Sequence, residues 1–351
     1  MKFDSNHRLV FNIEDVKHPI HRAMLREEAK VIVGYERELL FLNLLFSADG
    51  HALLMANSGL GKTMIGTCLP QVISGLKGAR VQGTPDLMPS TVVGYSVITA
   101  AGDTIWNQGQ VPGGDDGANF LLVDEATRLT PRLWAAFLQM LEERRKTVEN
   151  ITFDMPDVFT SVLTANFPAP GQGTVELPDA AYDRLMFNIQ WGYPTLEGLK
   201  EIARRTAALR ERRAEAIIEP VTDLNGIRKM RAEVKAISGD VPEQVIDYIG
   251  RLTYATNPHL THIEAFKTKE GKPFKDFVAA GGSPRCAMDM VAAAAALAHA
   301  FGDERVRPEH VKAVFPDVAR AHTKMGDLAN LGRNKVRIDD LITAILQGTQ
   351  P

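Results

Sequence analysis

With 351 residues, 45% of them hydrophobic, the chain can bury a large core and reads as two domains of unequal character. A formal net charge of -3 supplies no global field for nucleic acid, although a local basic patch is compatible with it. No apolar run nears the roughly 20 residues of a membrane span, and the start "MKFDSNHRLVFNIEDVKHP" lacks a signal-peptide pattern, so a soluble cytoplasmic protein is expected.

In chain order, residues 1–33 form a polar N-terminal helical segment. The stretch "EDVKHPIHRAMLREEAKVIVGYERELLFLNLLFSADG" predicts two short amphipathic helices around a turn at Gly34. "HALLMA" then predicts a buried strand, "NSGLG" a loop, and "KTMIGTCLPQVISGL" a helix. "ANFLLVDEA" is a second buried strand closed by two carboxylates, followed by the amphipathic helix "PRLWAAFLQMLEERR" with Pro131 in its first turn. "DVFTSVLTANFP", rich in β-branched residues and stopped by Pro168, is a third strand. Strands alternating with helices imply an α/β fold with a parallel sheet, spanning residues 34–194. From about Thr195 to the C-terminus the patterns are helical, with a good helix former in the alanine run Ala292–Ala296, and predict a helical lid over 195–351. Cys68 and Cys286 form no C-x-x-C pair and read as small buried thiols.

The loop between the first strand and its helix carries the chemistry. "ANSGLGKT" matches G-x-x-x-x-G-K-[ST] in Gly61, Lys62 and Thr63 but has Ala56 at the first glycine. A phosphate loop turns consecutive backbone N–H groups toward an anion at a helix N-terminus, so the glycines near the lysine matter most. Gly59 and Gly61 are both present, and Ala56 stands where the strand exits and needs only an ordinary β or bridge conformation, not a positive φ. The segment Asn57, Ser58, Gly59, Leu60, Gly61, Lys62, Thr63 and Met64 is therefore the candidate ATP-binding loop. Lys62 would reach the β and γ phosphates, and Thr63 would offer its hydroxyl to Mg²⁺. In "FLLVDEA" the strand end would deliver Asp124 to the metal and Glu125 to the attacking water. Asn166, ending the third strand, is placed to orient that water or to be a simple turn residue.

These residues resemble the AAA+ ATPases, and within them the MoxR family. Its pattern "GxPGLGKT", "FTPDLLPSDITG", "LLADEINRAPPK", "LLEAMEER", "ATQNP", "LDRFLM" and "GASPRA" is met here, in order, by "NSGLGKT", "GTPDLMPSTVVG", "LLVDEATRLTPR", "FLQMLEERR", "LTANFP", "YDRLMF" and "GGSPRC". The resemblance runs from Gly34 to about His322. It implies an AAA+ P-loop core followed by a helical lid, with sensor 1 at Asn166, an arginine finger at Arg184 and sensor 2 at Arg285. Arg144 and Arg145 in "EERRK" are rivals for the finger. It further implies ATP hydrolysis in a homo-oligomeric ring, expected to be hexameric, that remodels a client or assists metal or cofactor insertion. The expected partner carries a von Willebrand factor A domain. A nucleic-acid motor and an ATP-gated scaffold with little turnover are the alternatives.

The departures are Ala56, Thr127 for the asparagine of "DEINR", Phe167 for a proline, and a long lid segment, "LTHIEAFKTKEGKPFKDFVAAG". Lys267, Lys269, Lys272 and Lys275 in that segment read either as a phosphate-binding patch or as a solvated loop. After "TPDLMPSTVVG" the family has an insert facing the ring axis. Tyr95, Ile98 and Trp106 would either grip a polypeptide there or pack on the core.

Overall fold

The expected strands are present in the computed structural model, which describes residues 1–4, 7–57, 59–167, 177–211, 217–268, 270–330 and 335–351, excepting the side chains of 63, 206–211, 261, 262 and 330. β1 (His51–Ala56), β2 (Gly78–Gln82), β3 (Phe120–Asp124), β4 (Thr160–Ala165) and β5 (Phe187–Trp191) form one sheet in the order β5-β1-β4-β3-β2. The β1–β4, β4–β3 and β3–β2 pairings are parallel. β3 and β4 are buried along their whole length, which is why they read as unbroken apolar or β-branched runs. β2, at one edge, instead alternates buried and exposed residues over "GARVQ". Neither β2 nor β5 is legible as a sheet member from sequence.

By contact the chain divides into one unit of residues 23–184 and 189–229 and another of 1–22, 185–188 and 230–351. This differs from the spans read in the sequence, which separate 1–33 from everything else and begin the lid at 195. Residues 195–229 group with the sheet for physical reasons. Ile73–Ser74 pairs with Thr222–Asp223, the Arg205 Nη1 donates to Ala29 O at 2.7 Å, and Arg228 pairs with Asp157.

Within the sheet unit, a helix begun at Pro19 ends at Glu28, and a second runs Glu36–Ala48, with Gly34 at φ +81° in the turn between them. The second helix is not amphipathic as expected, since Arg37–Ser47 are all buried. The loop helix covers Lys62–Gln71, shorter than expected, because Pro70 closes it and Ile73–Ser74 leave as a strand. It lies close on the sheet at Gly66, where a Cβ would stand 2.2 Å from the Leu122 Cδ2. Two hairpins stand outside the main sheet: Tyr95–Ile98 with Thr104–Asn107, in the insert after "TPDLMPSTVVG", and Arg145–Val148 with Ile151–Asp154, after the Pro131–Glu143 helix. They are joined where the Ser96 hydroxyl donates to Glu149 at 2.6 Å. The Lys146 ammonium, buried at their base, donates to the carbonyls of Val93, Gln108 and Val111 at 2.7–3.0 Å.

The other unit is mainly helical, with Glu243–Thr256, Pro284–Phe301, Pro308–His322 and Ile338–Gly348. Ala293–Ala296 of the alanine run are fully buried, small enough to let helices approach closely. The long lid segment is folded: it holds the 3₁₀ turns Thr261–Ala265 and Phe274–Phe277, and Val278–Ala280 pairs with Lys324–Met325. Lys275 is paired with Glu264 at 2.7 Å, and Lys269 lies outside the described residues. Among the described residues, no helix is long and apolar enough to cross a membrane.

Glu28 supplies a test of this packing. It is fully buried, its Oε2 accepts from Asn43 Nδ2 at 2.8 Å, and burial raises its pKa from 4.5 to about 8. The unfolded chain loses this proton first, so Glu28's stabilising contribution is complete below its unfolded pKa of 4.5 and disappears as pH rises to about 8. Urea unfolding of the parent should therefore show stability falling with pH across that window relative to Glu28→Gln, by up to about 1.4 kcal/mol per pH unit. Parallel pH profiles for the two proteins would show that Glu28 stays ionised in the fold.

Candidate nucleotide site

β1 ends at Ala56, buried and extended, which accommodates the alanine in place of the first loop glycine. The next two glycines are required by conformation: Gly59 and Gly61 have φ of +82° and +78°. Gly61 caps the Lys62–Gln71 helix, and Met64 N–H donates to its carbonyl at 2.9 Å. Asn57 is exposed, while Ser58 and the Thr63 side chain lie outside the described residues. Leu60 is braced in a way the sequence did not reveal. Its carbonyl accepts from Trp191 Nε1 at 3.0 Å, Trp191 stacks on Tyr35 at 4.0 Å, and the Tyr35 hydroxyl donates to Gly192 O at 2.8 Å.

The register of the sheet then gathers the polar residues. Ala165 of β4 lies opposite Met55 of β1, so Asn166 follows beside the start of the loop. Leu163 lies opposite Val123 of β3, so the next pair brings Thr164 to Asp124. The Lys62 ammonium donates to Asn166 Oδ1 and, at 3.1 Å, to Ala56 O. Partial burial lowers the Lys62 pKa, opposed by the nearby charges of Asp124 and Glu125. The Thr164 hydroxyl donates to Asp124 Oδ1 at 2.6 Å and accepts from Glu125 N–H at 3.1 Å. It fixes both acidic residues at once. The other Asp124 oxygen accepts from Arg80 Nη2 of β2 at 2.9 Å.

Glu125 sits at φ +55°, a left-handed conformation uncommon outside glycine. Its backbone is pressed by the turn that follows β2. Gly83 N–H donates to Asp124 O at 2.7 Å, and a Cβ at Gly83 would stand 2.3 Å from Glu125 O. The glycine opening "GTPDLMPS" is thus demanded by its approach to the acidic pair. Glu125 also pairs with Arg128 at 3.2 Å.

Lys62, Asp124, Glu125 and Asn166 are therefore brought together, and Arg80 and Thr164 are additions. Thr164 carried one legible signal, its position two residues before Asn166 on the same strand face. Arg184 is held elsewhere, donating to Glu142 and to Ala180 O. Its rivals are occupied too: Arg144 donates to Phe159 O and Asp49, and Arg145 pairs with Asp154 across a hairpin. Arg285 belongs to the other unit, in the first turn of the Pro284–Phe301 helix, its N–H donating to the capping Ser283 hydroxyl at 3.2 Å.

A substitution at Thr164 tests the bridge. Thr164→Val keeps the shape but leaves buried Asp124 Oδ1 and the Glu125 N–H without that hydroxyl, which should cost about 1–3 kcal/mol in chemical unfolding. Thr164→Ser should retain most of the stability. A loss in Thr164→Ser with little or none in Thr164→Val would assign the residue's contribution to methyl packing instead.

Residues 51–187 match the family described as "ATPase family associated with various cellular activities (AAA)". The Chaperone MoxR1 of Mycobacterium tuberculosis is 32% identical over 306 residues, covering 86% of this chain and 75% of that protein. Protein MoxR of Methylorubrum extorquens is 27% identical over 330 residues, 92% of each. The crystal structure of a protein from Cytophaga hutchinsonii assigned as an ATPase is similar with a TM-score of 0.77 at 26% identity, covering 94% of this chain and 95% of that one. With its parallel core sheet, glycine loop and acidic strand end, the chain belongs to the MoxR family of AAA+ ATPases.

Proposed function

We propose that this chain hydrolyses ATP as a subunit of a ring, in the cytoplasm, and uses the energy to remodel a client protein. The observation that carries the reading is the convergence of Lys62, Asn166, Asp124 and Glu125 at the C-terminal ends of β1, β4 and β3. In an open parallel sheet that edge is where ligands bind. The residues suit Mg²⁺ and ATP: the loop backbone is open at Gly59, where an added Cβ would meet nothing within 4 Å, and a helix N-terminus follows. Asp124, with Thr63, would hold the metal, whose charge offsets that on the phosphate oxygens.

The chain's own groups would divide the work. Lys62 turns from Asn166 toward the β and γ phosphates, and the backbone N–H groups of residues 57–64 cradle them. Asn166, released from the ammonium, orients a water, and Glu125 takes its proton as it attacks. Arg184 exchanges Glu142 for the nucleotide of a neighbouring subunit, adding positive charge where charge develops. Arg285 would report the nucleotide state to the lid.

The remodelling part rests on the relative named a chaperone and on the insert hairpin. Ile98 is 75% exposed at that hairpin, with Tyr95, Val97 and Ile105 also exposed, a set suited to gripping an unfolded segment. Trp106 follows the packing alternative instead, edge-on to Phe153 at 6.1 Å. A hexameric ring, a von Willebrand factor A domain partner and a role in metal or cofactor insertion are what the family resemblance adds.

Complementation tests the central step. An Arg184→Ala subunit keeps its pocket, and a Glu125→Gln subunit keeps its finger; each alone should be slowed on the order of 10³-fold. Mixing them should restore ATPase activity, with a maximum at intermediate ratios and a dependence on total protein concentration. Co-assembled mixtures that stay inactive at every ratio would refute Arg184 acting across a subunit boundary.

A further inference from the structure

Three imidazoles meet in the unit of residues 1–22 and 230–351. His18 immediately precedes the helix that begins at Pro19, and His21 lies in its first turn, so both point along one helical face. His299 comes from the last turn of the Pro284–Phe301 helix. One ring nitrogen from each lies within 4.8 Å of the other two. The His18 and His299 rings are 4.1 Å apart between centroids, and His21 stands edge-on to both at 5.3 and 5.5 Å.

The arrangement is costly as it stands. A neutral imidazole carries one N–H and one lone pair, and a buried polar atom without a partner costs about 1–3 kcal/mol. His21 is completely buried, and neither of its ring nitrogens has a hydrogen-bond partner among the described residues. His299 uses Nε2 on Glu233 Oε2 at 2.9 Å, while its buried Nδ1 has no partner among them. Burial, with His299 and His18 alongside, holds the His21 pKa well below its ordinary value and keeps the ring neutral. A phenylalanine would fill this space without the polar cost.

The surroundings are fixed in advance. Lys17 and His18 N–H both donate to Ala300 O at 3.0 Å, and Phe11 packs edge-on to Phe301 at 5.7 Å. Glu233 also reaches within 3.9 Å of His18 Nε2, and its side chain is 40% exposed, which leaves an entry path for an ion. The C-terminal end of a helix favours a cation as well.

The geometry points to a binding site for a divalent transition-metal ion of the zinc class, ligated by His18, His21 and His299. Glu233 accepts from His299 Nε2–H, which leaves the Nδ1 lone pair for the metal, the usual carboxylate–histidine support of such a ligand. Three imidazole nitrogens select zinc, cobalt, nickel or copper over magnesium or calcium, which take oxygen. Bonds of about 2.0–2.1 Å put tetrahedral ligands about 3.3 Å apart, so the nitrogens need to close by about 1.5 Å at most. Water completes the shell. The ion would pin the N-terminal segment to the helices Leu224–Gly239 and Pro284–Phe301, tying folding of that segment to metal.

The full-length chain without an affinity tag, stripped by a chelator, is titrated with Co²⁺ by visible absorption and with Zn²⁺ by calorimetry, in the absence of nucleotide. The expected result is one equivalent bound, d–d bands of nitrogen-ligated cobalt, and a higher melting temperature with Zn²⁺. His18→Gln and His299→Gln, both nearer the edge of the cluster than the fully buried His21, should each bind at least tenfold more weakly and lose the thermal shift. Glu233→Gln should still bind one equivalent, about 10–100-fold more weakly. A folded parent that takes up no ion would overturn the site. So would uptake undiminished in both histidine variants, or a sulfur-to-cobalt charge-transfer spectrum removed by Cys286→Ser.

Discussion

Strand β4 pairs with β1 along one edge and with β3 along the other, and the chemistry of the nucleotide edge depends on that register. In a sheet covered on both faces, a slip of one residue would turn every side chain of β4 to the opposite face. Thr164 would leave Asp124 and Glu125, and Asn166 would leave Lys62. Polar residues at the far end of the strands guard against this. Buried His51 at the start of β1 accepts from Ser161 N–H at 3.0 Å, setting β1 against β4. Asn119 ahead of β3 donates to Val158 O, accepts from Lys77 N–H, and its carbonyl takes the Thr160 N–H. One asparagine thus aligns three strands, and every partner it uses is backbone.

The site itself is built against local preference. Lys62 is partly desolvated and leans on an amide, and Glu125 holds a left-handed backbone between Thr164 and the Gly83 turn. Asp124 shares its two oxygens between Thr164 and Arg80. A phosphate chain and its metal offer Lys62 and Asp124 stronger charge-assisted partners than these. The two hairpins share a base at Lys146, whose buried ammonium is pushed down to about 8 by burial yet gathers three carbonyls. Apolar residues at the exposed end of the hairpin are thereby carried on a rigid stem.

Much of this was legible in the sequence, and the exceptions have physical reasons. β1, β3 and β4 announce themselves because burial on both faces leaves unbroken apolar runs, whereas β2 and β5 alternate within five residues, too briefly to separate from a loop. Lys62, Asp124, Glu125 and Asn166 follow from the loop and the strand ends, since a parallel sheet brings those ends to one edge. Arg80 and the Trp191–Tyr35 brace depend on which strands are neighbours, which no local pattern gives. The roles proposed for Arg184 and Arg285 rest on resemblance alone, because an arginine's partner across a boundary leaves no local signature. His299 is separated from His18 and His21 by most of the chain, and only the docking of residues 11–18 on the end of a late helix unites the three.

The proposed function stands on ATP binding by the loop after β1, through its glycines and Lys62 and despite Ala56. Calorimetric titration with ATP and Mg²⁺ measures it directly on three proteins: the parent, Lys62→Ala and Ala56→Gly. The parent should bind tightly, Ala56→Gly within a few-fold of the parent, and Lys62→Ala not tightly at all. Equal affinity in Lys62→Ala and the parent would contradict it.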